Sequence, residues 1–241
     1  MKRWIGPALC LLGWLYLLAN TACRSASPTP ALSAPEILQR AARAMAEIET
    51  VHFVLERRGA PDYLDTARTM MLRRVEGDIV RPNGLRGTAR IFTLGMVTEI
   101  GVLRIGERTW VAFPGIGRWE ELSPERGTVI DPRLFFDAEQ GLPALLARAE
   151  LRLVGVETLE GRPAFHLHGE VPSGPLEEWS LGLIAGRLRA DLWVEARTFR
   201  ILRVRLVERD SDPQDPTVWQ ITLSDFNRPI ELHPPEGSAS S

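Results

Sequence analysis

What limits this chain most is a hydrophobic period of two that recurs from residue 51 to residue 224. Val51, Phe53 and Leu55 alternate with His52, Val54 and Glu56. Leu188, Ala190, Leu192 and Val194 oppose Arg189, Asp191, Trp193 and Glu195. Leu202, Val204 and Leu206 oppose Arg203 and Arg205, and Trp219, Ile221 and Leu223 oppose Gln220, Thr222 and Ser224. Successive strand side chains point to opposite faces, so each segment is predicted as a strand with one apolar face. Less regular alternation predicts further strands at 68–76, 86–93, 97–105, 108–113, 117–122, 151–158 and 163–171. Gly106-Glu107, Gly115-Ile116-Gly117 and Glu160-Gly161 supply turns between them.

Helical periodicity is confined to a few places. Ser33, Pro35 and Glu36 have capping-box spacing, and Ile37, Ala41, Ala44, Met45 and Ile48 then share one helical face, predicting an amphipathic helix that ends near Thr50. Asp131-Pro132 resembles an N-cap with proline at N1, opening a helix through Leu134, Phe135 and Ala138. Gly141 and Pro143 interrupt it, and a second piece carries Leu142, Leu145, Leu146 and Ala149. The order of helix, strand series, helix pair and strand series is not the alternation that builds a parallel sheet. The expected class is α+β: a single curved antiparallel sheet, a half-barrel, wrapped over a few helices on its concave side.

The N-terminus has a separate logic. Lys2 and Arg3 precede an uncharged run from Trp4 to Ala19, and Thr21-Ala22-Cys23 follow. A positive start, an apolar core and a small-residue exit are the parts of a secretory signal. An uncleaved anchor helix is the alternative, although the run is shorter than the roughly 20 apolar residues of a stable span. Asn20-Thr21-Ala22-Cys23 resembles a lipobox, with Asn20 where Leu, Val or Ile is usual. The expected organisation is a signal peptide at 1–22, a lipidated Cys23 opening a flexible tether at 23–33, a domain at 34–236 and a loose tail at 237–241. Once Cys10 leaves with the signal peptide, Cys23 stands alone, so neither an intrachain disulfide nor a cysteine zinc site is expected.

Charge and motifs narrow the function classes. The formal net charge is −2, and removing Lys2 and Arg3 takes it to −4. No basic tract with interleaved aromatics is present, so no nucleic-acid partner is expected. His166 and His168 lie two apart on a predicted strand and therefore share a face, which makes half of a metal site at most. No G-x-S-x-G, H-E-x-x-H or P-loop motif occurs. Glu120-Glu121 and Glu177-Glu178 read as solvated charge. The expectation is no enzyme, no catalytic residue, no metal and no cofactor.

Several stretches carry a resemblance. These are Gly141-Leu142 through Leu146, Val154-Gly155-Val156-Glu157-Thr158-Leu159-Glu160-Gly161-Arg162-Pro163, Asp191-Leu192-Trp193-Val194-Glu195 with Thr198-Phe199-Arg200-Ile201, and Phe226-Asn227-Arg228-Pro229-Ile230-Glu231. Over roughly residues 35–235 the chain resembles the LppX/LprAFG lipoproteins. The resemblance implies a LolA-like half-barrel with an apolar cavity that binds acylated lipid or glycolipid and carries or chaperones it in the cell envelope. The expected protein is a monomer, lipid-anchored through Cys23 at the outer face of the plasma membrane, with an envelope transporter as a further partner.

On that reading the cavity lining comes from the apolar strand faces: Phe53, Leu55, Ile91, Val102, Phe165, Leu167, Leu192, Val204, Leu206 and Ile221. Periodicity alone also fits a solid core made of the same residues. Between Pro172 and Gly186, Leu176, Trp179 and Leu183 share a helical face, either as a lid or mouth element or as a packed surface helix. The alternative function is an envelope module of the same fold that binds a protein partner, such as a transporter or signalling protein.

Overall fold

The computed structural model describes residues 32–60, 63–64, 67–113, 118–123 and 131–236. The predicted signal peptide, Cys23 and most of the tether lie outside them, as does the tail at 237–241. Among the described residues eleven strands form one open antiparallel sheet in the order β6-β5-β4-β3-β2-β1-β11-β10-β9-β8-β7. They are β1 (Thr50–Arg58), β2 (Met70–Val80), β3 (Gly84–Thr93), β4 (Met96–Ile105), β5 (Arg108–Ala112), β6 (Trp119–Leu122), β7 (Glu150–Leu159), β8 (Arg162–Val171), β9 (Leu188–Glu195), β10 (Ile201–Glu208) and β11 (Val218–Ser224). Each strand within β1–β6 and within β7–β11 pairs with its neighbour in sequence. The two meanders join where β1 pairs with β11.

Register shifts at Leu72/Arg74, Leu153/Gly155 and Ile201/Arg203 add twist to this wide sheet. Between β2 and β3, Gly77 sits directly opposite Gly87. A Cβ on Gly77 would lie 2.1 Å from the Arg86 carbonyl oxygen, so the backbones approach here as no larger residue allows. Such a bend lets the sheet curl into a half-barrel rather than spread flat.

Helices α1 (Ala34–Ala46), α2 (Leu142–Arg148) and α3 (Gly174–Trp179) complete the fold, with a 3-10 turn at Pro132–Phe135. Helix α1 opens where the Ser33 backbone N–H and hydroxyl both donate to the Glu36 carboxylate, at 2.8 and 2.7 Å. It buries Ile37, Leu38, Ala41 and Met45, a helical stripe. The Met45 sulfur accepts from the Ile201 backbone N–H at 3.4 Å, and the Arg40 guanidinium lies over Phe199, which stacks on Phe165. Helix α1 therefore lies against the sheet face that carries Phe165, the inner face.

Two helices are shorter than their periodicity predicts. Helix α1 ends at Ala46 rather than near Thr50, because the Arg81 guanidinium takes the Ala46 and Ile48 carbonyls at 2.6 and 3.1 Å and Thr50 already belongs to β1. The helix opening at Asp131-Pro132 is a single 3-10 turn. Asp131 caps it by accepting from the Arg133 N–H at 2.9 Å, and the chain closes so tightly that a Cβ on Gly141 would meet the Leu134 carbonyl at 2.1 Å.

Candidate functional site

The inner face carries an apolar row that runs straight across the sheet. Cα pairing aligns Leu153, Leu167, Leu192, Val204, Ile221, Leu55, Val75, Ala89 and Ile100, one from each strand from β7 round to β4. A second row beside it contains Leu223, Phe53, Gly77, Gly87, Val102 and Val111. No polar side chain interrupts either row.

Burial along these rows is uneven. Leu167 and Leu192 are buried, at 0% and 3% exposure. Leu153, Val204, Ile221, Leu55, Val75, Ala89 and Ile100 are only half-buried, as are Phe53 and Val102. Towards α1 the inner face is sealed by Val51, Val194 and Ile201, and at the opposite end of β9–β11 by Leu188, Ala190, Leu206 and Trp219. A band of half-buried apolar side chains thus lies between two packed bands, in the middle of the sheet where a solid core would bury them most.

All ten residues proposed from the sequence as cavity lining lie on this inner face. Ile91, Leu167, Leu192 and Leu206 are buried; Phe53, Leu55, Val102, Phe165, Val204 and Ile221 are half-buried. Leu176, Trp179 and Leu183 are half-buried too, but they do not share one helix. Helix α3 stops at Trp179, because Leu181 and Gly182 turn left-handed at φ +57° and +85° and the Gly182 N–H returns to the Glu177 carbonyl at 2.7 Å. The chain then buries Ile184, whose N–H donates to the Ser180 hydroxyl at 2.8 Å, and leaves Leu181 exposed.

The outer face is chemically opposite. Asp191 on β9 accepts from His168 Nδ1 at 2.7 Å and lies 3.0 Å from His166 Nε2, with Arg205 at 3.4 Å. His166 Nδ1 faces Glu157 at 2.7 Å, and the ring stacks on Trp193, whose Nε1 donates to Glu157 at 2.9 Å. Burial raises the Asp191 carboxyl, but hydrogen bonds from His168 and His166 outweigh it and hold the group below the usual carboxylate range. The Trp193 and His166 hydrogen bonds lower Glu157 in the same direction. Asp78 repeats the pattern on β2, with His52 at 2.9 Å, Arg86 at 3.0 Å and Arg228 at 3.3 Å. Among the described residues no group of three or more His, Cys, Asp or Glu side chains is arranged to hold a metal ion. The carboxylates that would complete a site at His166 and His168 are already engaged as hydrogen-bond acceptors.

The family model of the LppX_LprAFG lipoproteins matches residues 33–232. The chain belongs to this family. Two solved members of the LppX/LprAFG lipoproteins share its fold. LprF from Mycobacterium bovis superposes with a TM-score of 0.66 at 19% identity, covering 85% of this chain and 97% of that one. LppX from Mycobacterium tuberculosis superposes with a TM-score of 0.58 at 15% identity, covering 83% and 98%. No curated protein matches the sequence significantly. Family membership makes the chain an envelope lipoprotein on a half-barrel scaffold.

Beyond the ten residues proposed from the sequence, the rows add Leu153, Val75, Ala89, Ile100, Val111 and Leu223, and beside them stands a charged inner-face residue. Arg57 is 3% exposed and pairs across the sheet with Trp219. Its guanidinium lies 5.6 Å from the Trp219 ring centroid and donates to the Ala60 carbonyl and the Thr217 hydroxyl, while Trp219 Nε1 donates to Glu208 at 2.7 Å. The alternation Val51, Phe53, Leu55 already points to position 57 as inward. A cation there sets a polar limit to the apolar rows.

A separate cleft of about 260 Å³ lies on the outer face, where residues 231–235 cross Arg86, Leu103 and Trp119. It is framed by the C-terminal segment and does not open onto the inner rows.

Proposed function

We propose that the half-barrel receives the acyl chains of a lipid or glycolipid on its inner face and chaperones or carries that lipid in the cell envelope. On this reading the chain is anchored through Cys23 at the outer face of the plasma membrane. The half-buried apolar band carries the proposal. Exposed apolar area costs roughly 25 cal/mol per Å², and a band this wide in mid-sheet is relieved by an apolar guest. An acyl chain leaving a bilayer regains about 0.8 kcal/mol for each CH₂ that such a surface covers. No reactive group is needed for that task. A concave apolar lining with few polar limits, here Arg57, is sufficient.

Native mass spectrometry of the full-length protein, released from a bacterial host in mild detergent, tests this. The expected spectrum contains protein with a non-covalent diacyl or triacyl lipid, and delipidated protein regains the adduct when lipid is supplied. If delipidated protein takes up no such lipid, carriage fails, and recognition of a protein partner by the same fold replaces it. The anchor is tested separately, since Cys23→Ala should abolish labelling by a fatty-acid probe. Asn20→Leu should raise the mature fraction if Asn20 slows processing.

A further inference from the structure

The two ends of the half-barrel differ. Strand directions place the β1–β2, β3–β4, β5–β6, β8–β9 and β10–β11 connections at one end. The β2–β3, β4–β5, β7–β8 and β9–β10 turns lie at the other. Exposed large hydrophobic side chains gather at the first end: Leu64, Leu94, Met96, Val97, Phe113 and Leu181. The two others among the described residues, Val154 and Val156 at 55% and 61%, lie along the edge strand β7. The turns of the second end present Glu49, Glu107, Glu160 and Asp225, each in an ion pair with arginine.

We propose that this apolar rim docks the protein on a lipid bilayer. The β3–β4 hairpin is its foremost point. Leu94 is 81% exposed, and Leu94 and Gly95 form a tight turn at φ +49° and +82° that holds Met96 (67%) and Val97 (64%) beside it. Leu64, Phe113 and Leu181 come from three other connections, so the apolar points are spread around the rim rather than gathered in one groove. A bilayer interface accepts scattered apolar tips without shape complementarity, whereas a protein partner requires a continuous packed patch.

Two further observations commit the rim to a bilayer. The stretch from Cys23 to Ser33 reaches about 35 Å when extended, and a ten-residue strand such as β3 spans about 34 Å. A chain held at Cys23 therefore has enough slack to lay this end on the membrane that anchors it. Inner-face alternation also continues to the tip, through Val102, Ile100, Thr98 and Met96. Along β4 the apolar row thus meets the docked surface without a charged side chain, whereas at β1 Arg57 bounds it. What docking would deliver rests on the lipid-binding reading, but the docking itself does not.

The test uses the full acylated chain, in a Cys10→Ala background, on phosphatidylcholine/phosphatidylglycerol vesicles with brominated acyl chains. An environment-sensitive fluorophore is placed at Met96→Cys, or at Glu107→Cys on the far end, where the side chain is 77% exposed. Fluorescence is expected to be lost at position 96 and kept at position 107. Leu94→Glu should restore it at 96 with no change in melting temperature, because Leu94 packs against little. Equal quenching at both positions, or none at 96, overturns docking. Protection of position 96 only when a second envelope protein is added also overturns it, in favour of a protein interface. A Val204→Trp background separates the two readings. Quenching that persists there comes from the bilayer, and quenching that vanishes there comes from lipid held inside and removes the docking proposal. Quenching at 96 in a protein that binds no lipid by mass spectrometry leaves docking standing and removes carriage.

Discussion

Asp191 and Leu192 are neighbours on β9, and they meet two different molecules' worth of chemistry. On the outer face Asp191 is met by two imidazoles and a guanidinium. On the inner face Leu192 continues a row in which most apolar side chains stay only half-buried. An antiparallel sheet can leave one face to water if that face is polar, and the outer ladder of ion pairs meets this condition. The fold alone does not require the inner face to stay partly open. The contrast therefore separates what the scaffold needs, which is satisfied, from what it offers to a guest, which is not.

The largest expected effect lies where the inner face is fully packed. Leu167 is 0% exposed, between Leu153 and Leu192. Leu167→Ala should cost about 2–5 kcal/mol, through lost burial and the cavity left behind. Val204→Ala, at a half-buried position, should cost well under half of that. Urea denaturation with unchanged slope measures both. Equal losses at the two positions would mean that the inner face is one solid core.

The outer face should yield a smaller effect with a pH signature. The folded-state pKa of Asp191 is depressed, so its contribution to stability is present above the ordinary aspartate value of about 3.9 and is lost as pH falls through the folded value. Asp191→Asn should cost about 1–3 kcal/mol near neutral pH, the range for removing a hydrogen-bonded charged partner. The gap from wild type should close as pH falls below 4. Denaturant midpoints measured from pH 7 down to pH 3 check this, and a gap that stays constant would refute the carboxylate's role.

The period of two carried most of this architecture. It placed the strands, the polarity of each face and the helical layer on one side, because face alternation is a local property of an extended chain. What it could not carry is non-local. The grip of His166 and His168 on Asp191 depends on the β8–β9 register, and the split between packed Leu167 and half-buried Val204 depends on tertiary packing that alternation does not encode. Arg57 continues the alternation of Phe53 and Leu55, but a charged residue type is rarely buried and by itself argues for the outer face. At the predicted lid, Leu181-Gly182 is a helix stop that outweighs the helical spacing of Leu176, Trp179 and Leu183, since glycine past a helix end closes it in the left-handed conformation.

The smallest effect on stability should accompany the largest effect on ligand. Val204 pairs with Leu192 and Ile221 at the centre of the row, and its side chain is only half-buried. A tryptophan there extends into the volume an acyl chain would use, so Val204→Trp should melt near the wild-type temperature and lose bound lipid. Leu167→Trp is the matched control. At that buried site the larger ring overpacks the sheet and should cost about 1–3 kcal/mol. Melting curves and native mass spectra of the two variants decide the matter together. If Val204→Trp destabilises as strongly as Leu167→Trp, the space beside Val204 is already filled by protein. If it is stable and still holds lipid, the guest lies elsewhere on the molecule.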